Sequence, residues 1–176
     1  MSILYSFAPI ADANASVLIL GSMPGEASLL ADEYYAHPRN HFWRVMGMLV
    51  GFASDLPYAE KVQALKAARI AVWDVLQTCT RRGSLDADID KSSIVANDFQ
   101  SFFAQQANIT HVFFNGSAAE QVYRRKVLPF LKIYPVEYLR LPSTSPANAS
   151  LSFEQKLDAW RAISICLRDS KPFQND

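Results

Sequence analysis

The sequence predicts an α/β fold, a three-layer α/β/α sandwich around a central four-stranded parallel sheet. Four short runs rich in β-branched and aromatic residues, at 17–20, 70–76, 111–115 and 137–141, recur along the chain. Segments with apolar residues at helical spacing separate them. Strands that alternate with helices in this way build a parallel sheet covered on both faces, through right-handed crossovers. At 176 residues the chain suits one domain with a sizeable core better than two. Residues 1–168 are expected to form that domain, and 169–176 a polar tail that contains Pro172.

The totals exclude several function classes. Half the residues are apolar and 19% charged, and no apolar run approaches a membrane span. The N-terminus has no basic flank before an apolar stretch, so a cytoplasmic protein without a signal peptide is expected. Cys79 and Cys166 lack ligand-like spacing and support neither a disulfide framework nor a zinc site. Neither a metal nor another cofactor is expected. Lys+Arg and Asp+Glu number 17 each, so a polyanion partner would need a local face rather than a global field. No oligomerising stripe stands out, and a monomer is expected.

Taken in order, the apolar run 17–20 leads into the turn Gly21-Ser22-Met23-Pro24-Gly25. A buried strand delivering a tight loop to a sheet's carboxyl edge is where open α/β sheets bind ligands. A plain strand-to-helix connection explains the same residues, and the lysine and spacing of a phosphate loop are missing. Next comes Tyr34-Tyr35-Ala36-His37-Pro38-Arg39-Asn40-His41-Phe42-Trp43. Pro38 holds His37 extended, and Asn40 suits the N-cap of a helix over 40–50. Aromatic and amide groups packed this closely also suit recognition of a planar base.

A second helix is expected over 58–68, with Val62 and Leu65 inward. The run 70–76 is a strand that carries Asp74 among apolar residues, where a carboxylate is costly unless it is paired, capping a turn or functional. Arg81-Arg82-Gly83-Ser84-Leu85-Asp86 reads as a basic turn, solvated or facing a phosphate. Phe99, Phe102 and Phe103 mark a helix over 97–106. The strand 111–115 runs through Asn115-Gly116-Ser117 into a helix over 117–127, and this junction reads as scaffold. After the strand 137–141, residues 142–150 form a proline-stiffened loop of small hydroxyl residues able to donate to phosphate oxygens. Ser143 has no nucleophile-elbow context, so a serine hydrolase is not supported. Ser152 and Gln155 form a capping-box pattern that starts the last helix, over 152–167.

Three of these segments resemble the uracil-DNA glycosylase superfamily. Its mismatch-specific branch carries Gly-x-Asn-Pro-Gly, then aromatic-Ala-His-Pro-x-Asn-x-Phe-Trp, then Asn-Pro-Ser late in the chain. The corresponding residues are Gly21-Ser22-Met23-Pro24-Gly25, Tyr35-Ala36-His37-Pro38-Arg39-Asn40-His41-Phe42-Trp43 and Leu141-Pro142-Ser143. Met23 replaces the asparagine that positions water in that branch, and a thioether cannot do this usefully. The hypoxanthine-DNA glycosylase branch, with Gly-Ser-x-Pro-Gly, Tyr-Tyr-x-His-Pro-Arg-Asn and Pro-Ser-Thr-Ser-Pro, is matched almost throughout.

The resemblance implies a four-stranded parallel sheet between helices and a monofunctional glycosylase that flips out and excises a deaminated base from DNA. Hypoxanthine from deoxyinosine is the expected base. A G:T/U mismatch glycosylase and a non-catalytic damaged-DNA-binding module are the alternatives. By the same resemblance Asn40 is the catalytic amide, Tyr35 stacks on the base and Phe42 supports that wall. Asp74 falls where a base-reading side chain stands, and the backbone N–H groups of Ser22 and Met23 would meet O6. Ser143, Thr144 and Ser145 would clamp flanking phosphates, with Arg81 and Arg82 as longer-range contacts.

Overall fold

The computed structural model describes residues 1–132 and 136–170. In chain order the elements are β1 (Leu4–Tyr5), β2 (Val17–Gly21), α1 (Glu26–Ala31), α2 (Phe42–Val50), α3 (Tyr58–Ala67), β3 (Ile70–Asp74), β4 (Leu76–Cys79), β5 (Val95–Ala96), α4 (Phe99–Gln105), β6 (His111–Asn115), α5 (Ser117–Lys126), β7 (Glu137–Leu141) and α6 (Phe153–Asp169). Strands β3, β2, β6 and β7 lie side by side in that order, every pair parallel. The four expected strands are therefore the four strands of one parallel sheet.

Alternation along the strands divides the core in two. Val17 and Ile19 of β2, Ile70 and Val72 of β3 and Phe113 of β6 pack against Phe42, Val45, Met46, Leu65, Trp160 and Ile163 from α2, α3 and α6. Leu18, Leu20, Ala71, Trp73, Val112 and Phe114 point to the other face, against Phe99, Phe102, Phe103 and Tyr123 from α4 and α5. Period-two strands with both faces covered bury every residue of β2 and β3, and each large apolar side chain contributes about 1.5–3 kcal/mol. The capping box at Ser152 forms as the sequence predicts: the Gln155 N–H donates to Ser152 Oγ at 3.2 Å and the Ser152 N–H to Gln155 Oε1 at 2.9 Å.

The strand expected over 70–76 ends in the sheet at Asp74. Asn97 explains the break: its Nδ2 donates to the carbonyls of Asp74 (2.8 Å) and Leu76 (3.2 Å), and its N–H to that of Val75 (2.9 Å). These bonds satisfy the carbonyls outside the parallel ladder, so the chain turns away. Leu76–Cys79 then joins β1 and β5 in a small antiparallel sheet that no periodicity predicts. Of the expected tail, residues 171–176 lie outside the described residues.

Candidate active site

The carboxyl ends of the four parallel strands bring Asp74, Gly21, Asn115 and Leu141 into one row, since Gly21 pairs with Asp74 and Asn115 with Leu141. A cleft of about 150 Å³ opens there. The turn after Gly21, the segment carrying Tyr34, Tyr35, His37 and Asn40, and the loop after Leu141 surround it. Ser22, Met23, Tyr35, Asn40, Asp74, Ser143 and Ser145 all line this one cleft. A wider groove of about 640 Å³ adjoins it and shares Ser84, Asp86, Asn115, Ser143 and Ser145.

Gly21 is required by space rather than by dihedral angle. A Cβ there would stand 2.6 Å from Asp74 Oδ1 and 3.0 Å from the Tyr35 hydroxyl. The bare backbone lets both polar groups close over the end of β2. Asp74 is only 4% exposed, and its Oδ2 is buried without a hydrogen-bond partner among the described residues. Its side chain therefore caps no turn. Burial, reinforced by the Asp86 carboxylate and opposed by Arg81, pushes the Asp74 carboxyl up to about 7. A buried, unpartnered carboxylate at a cleft wall is costly to the fold and available to a ligand.

The cost has a pH signature. Unfolded, Asp74 titrates near the ordinary carboxylate value of about 3.9; folded, it holds its proton up to about 7. Stability from this group is thus full below about pH 4 and is lost as pH rises to about 7. Asp74→Asn should stabilise the protein by about 1–3 kcal/mol at pH 8, raising Tm by roughly 2–4 °C per kcal/mol, and by little at pH 4. Melting curves at the two pH values check this.

Tyr35 has a left-handed backbone (φ 54°), which costs a non-glycine residue about 1–3 kcal/mol. Its neighbours hold it there. The Tyr34 carbonyl accepts from Trp43 Nε1 at 2.8 Å, the Tyr34 hydroxyl donates to the Ala8 carbonyl at 2.9 Å, and the Ala36 N–H donates to Ser28 Oγ at 3.1 Å. The Tyr35 ring stacks on Phe42 with centroids 3.9 Å apart and planes 21° apart. Phe42 is itself fully buried, edge-on to Trp43 and Trp160. It backs Tyr35 and does not line the cleft. Burial, with the Asp74 charge adding to it, raises the Tyr35 phenol and keeps it protonated.

Asn40 is fixed by its backbone surroundings. Its Oδ1 accepts from the Phe42 N–H at 2.9 Å; α2 begins at Phe42, one residue later than expected, with His41 in the cap position and Asn40 holding the first turn from just before it. The next N–H, of His41, donates to the Thr144 carbonyl at 3.0 Å and ties this segment to the loop after β7. Only the oxygen can accept from Phe42, which settles the amide orientation. Nδ2, for which the described residues supply no partner, and the second lone pair of Oδ1 remain for a ligand or water. The Ser22 and Met23 N–H groups likewise have no acceptor among the described residues, while the Met23 side chain packs with Leu76 and Cys79.

Two expected phosphate contacts are corrected. Arg81 is buried: Nη2 donates to the Pro24 carbonyl at 2.6 Å and Nε to that of Gly83 at 2.7 Å. Its guanidinium braces the Gly21–Gly25 turn from inside and cannot reach a phosphate. Thr144 is fully buried, its Oγ1 accepting from Asn115 Nδ2 and its N–H donating to Asn115 Oδ1, both at 2.9 Å. It locks the loop to β6. Ser143 and Ser145 are partly exposed, and Arg82 is exposed but outside the cleft.

Asn115, expected only as scaffold, is therefore the residue that fixes the late loop. Gly116 beside it has φ 92°, and a Cβ there would meet Ser143 Cβ at 2.9 Å. Its place at a strand's carboxyl edge before a glycine is the signal that marks Asn115. Asp86, which also lines the cleft, accepts from Ser22 Oγ at 2.6 Å and is raised by burial. Nothing local in the sequence singles it out. Among the described residues no group of three or more His, Cys, Asp and Glu is placed to hold a metal, and no helix is long and apolar enough to cross a membrane.

The geometry matches known proteins. The uracil DNA glycosylase superfamily model matches residues 8–164. The chain is 34% identical over 158 residues to a hypoxanthine DNA glycosylase of Methanosarcina acetivorans, covering 89% of this chain and 95% of that protein. It is 34% identical over 155 residues to the hypoxanthine DNA glycosylase of Methanosarcina barkeri, covering 88% and 93%. A solution NMR structure of an M. acetivorans protein, assigned by its solvers to the uracil DNA glycosylases, superposes with a TM-score of 0.79 at 33% identity, over 95% of this chain and 99% of that one.

Proposed function

Because this chain belongs to the uracil DNA glycosylase superfamily, we propose that its cleft receives a deaminated nucleotide turned out of DNA and hydrolyses the N-glycosyl bond, releasing hypoxanthine from deoxyinosine. The observation that carries this is the unpartnered Asp74 carboxylate buried beside the stacked Tyr35 ring at the sheet's carboxyl edge.

Each group has a task in that reaction. The free face of Tyr35 stacks on the extruded base while Phe42 holds the ring from behind. Ionised Asp74 accepts the hydrogen on N1 of hypoxanthine, whereas adenine presents a lone pair there and is repelled. Guanine also carries N1–H, and its extra amino group has to be rejected by shape. The Ser22 and Met23 N–H groups donate to O6, where negative charge gathers as the base departs. The C1′–N9 bond breaks, its electron pair leaves with the base, and the sugar takes on oxocarbenium character. Asn40 Oδ1 holds a water against C1′; the water adds there and gives up a proton, and the departing base takes one up. Ser143 and Ser145 bind flanking phosphates, and exposed Arg82 adds a longer-range attraction. No step calls for a second subunit, so a monomer acting in base excision repair in the cytoplasm fits the chemistry.

Asp74 makes base discrimination depend on pH. Below about pH 6 the carboxyl is largely neutral and offers a hydrogen to N1 of adenine instead of repelling it. Discrimination between deoxyinosine and deoxyadenosine should therefore fall as pH drops from 8 to 6. Competition binding with the two oligonucleotides at each pH checks this, and a constant ratio removes Asp74 from base reading. The activity itself is tested by base release from matched oligonucleotides carrying deoxyinosine, deoxyuridine, deoxyxanthosine or a G:T mismatch. Fastest release from deoxyinosine is expected. No release from any of them overturns the enzymatic assignment, leaving a damaged-DNA-binding module, and faster release of uracil or thymine assigns a mismatch enzyme.

A further inference from the structure

We propose that Lys156, with Arg44 and His41, forms a binding site for a DNA backbone phosphate where α2 and α6 begin; this rests on DNA being the ligand, as assigned above. Lys156 is only 1% exposed, and lysines are almost never buried unless they are paired. Among the described residues its ammonium has neither a hydrogen-bond acceptor nor a carboxylate within ion-pair reach. Arg81, the other buried cation among them, donates to two carbonyls. Burial pulls the Lys156 ammonium below the usual lysine range, and the little accessibility it keeps is at the charged end. Such a charge is costly to the fold unless an anion from outside the chain answers it.

The position of Lys156 points to the DNA strand. It shares the inward face of α6 with Leu157, Trp160 and Ile163, and helical side chains slant towards the helix N-terminus, here the end that follows the loop after β7. Trp160, one turn on, donates from Nε1 to the Pro142 carbonyl of that loop at 2.9 Å. The start of α2 stands beside it. The His41 N–H donates to the Thr144 carbonyl at 3.0 Å, the His41 ring lies edge-on to Phe153 at 5.4 Å, and the Arg44 guanidinium covers Phe153 at 3.8 Å. Burial, then Lys156, then Arg44 lower the His41 imidazole, so both cations are felt at one ring, and its Nδ1 is itself buried without a partner among the described residues. Against them stands Glu154, exposed in the first turn of α6; α2 carries no acidic residue, and its N-terminus adds partial positive charge. Asn40, next to His41, and Ser145, next to Thr144, line the base cleft. A strand that delivers a nucleotide to the cleft carries its phosphates past this corner.

The test measures affinity for a deoxyinosine duplex and for the undamaged duplex of the same sequence over a range of salt concentrations. The unaltered chain, Lys156→Met and Arg44→Gln are compared. Loss of a phosphate contact weakens binding to both duplexes alike and flattens the plot of log affinity against log salt by about one. Lys156→Met is expected to do this, with roughly tenfold weaker binding at low salt, while its Tm rises because an unpaired buried charge is gone. Arg44→Gln alters an exposed residue, should act in the same direction, and decides the matter if Lys156→Met fails to fold. Unchanged slopes overturn the site, even where inorganic phosphate raises the Tm of the unaltered chain. So does a folded Lys156→Met with a lower Tm and an unchanged slope, whose ammonium then serves the fold, and so does a loss confined to the deoxyinosine duplex. A flattened slope in a chain that releases no base leaves the phosphate site standing and overturns the glycosylase assignment; no affinity of the unaltered chain for either duplex overturns both.

Discussion

Asn40→Ala is expected to lower the single-turnover rate of base release by about 10²- to 10³-fold while affinity for deoxyinosine DNA changes little. The expected effect is large because Asn40 is placed at the water and the sugar, where it acts in the transition state and not in binding the base. The same substitution also removes the acceptor for the Phe42 N–H, a capping loss of about 1 kcal/mol. Asn40→Asp keeps an acceptor both for the Phe42 N–H and for the water, so it should hold the fold and lose less of the rate than Asn40→Ala. A binding isotherm beside each rate distinguishes loss of chemistry from loss of affinity. Turnover of Asn40→Ala within a few-fold of the unaltered protein would remove Asn40 from the reaction.

Gly21→Ala should be nearly as damaging, about 10²-fold, although the added methyl touches no substrate. The new Cβ would come within 2.6 Å of Asp74 Oδ1, closer than real Cβ atoms come to any such atom, and 3.0 Å from the Tyr35 hydroxyl, where the neighbour has to give way by a few tenths of an ångström. Neither neighbour yields easily. Asp74 ends a fully buried strand, and Tyr35 is clamped between Phe42 and the hydrogen bonds on Tyr34 and Ala36. The base-reading carboxylate and the stacking ring are therefore displaced together. Affinity for deoxyinosine DNA should fall along with the rate, in contrast to Asn40→Ala. A Gly21→Ala protein that binds and turns over normally would show that the close packing of Gly21, Asp74 and Tyr35 is not needed for the pocket.

The parts of this molecule legible in the sequence are those whose causes are local. Short continuous runs of apolar and aromatic residues at 17–20 and 111–115 mark strands covered on both faces, and the spacing of Phe153, Leu157, Trp160 and Ile163 marks the final helix. Asp74 stands out because a carboxylate within an apolar strand needs a reason, and its unpartnered Oδ2 bears on that reason. The remainder depends on contacts between distant segments. Strands of two residues, such as Leu4–Tyr5 and Val95–Ala96, are too short to show a period. Arg81 reads as a surface cation until its buried guanidinium is seen to donate to the Pro24 and Gly83 carbonyls, and Thr144 reads as a free hydroxyl until Asn115 is seen to hold it. Asp86 reaches the cleft only because the loop that carries it is fastened to Ser22.

The most direct test of the central assignment is base release from duplex deoxyinosine in ¹⁸O-enriched water, with the free base and the DNA product both weighed by mass spectrometry. Hydrolysis of the N-glycosyl bond predicts unlabelled free hypoxanthine, an uncut strand and one ¹⁸O at C1′ of the abasic sugar. Label in the base, a nicked strand with inosine still attached, or no released base at all would each contradict the reaction assigned to this cleft.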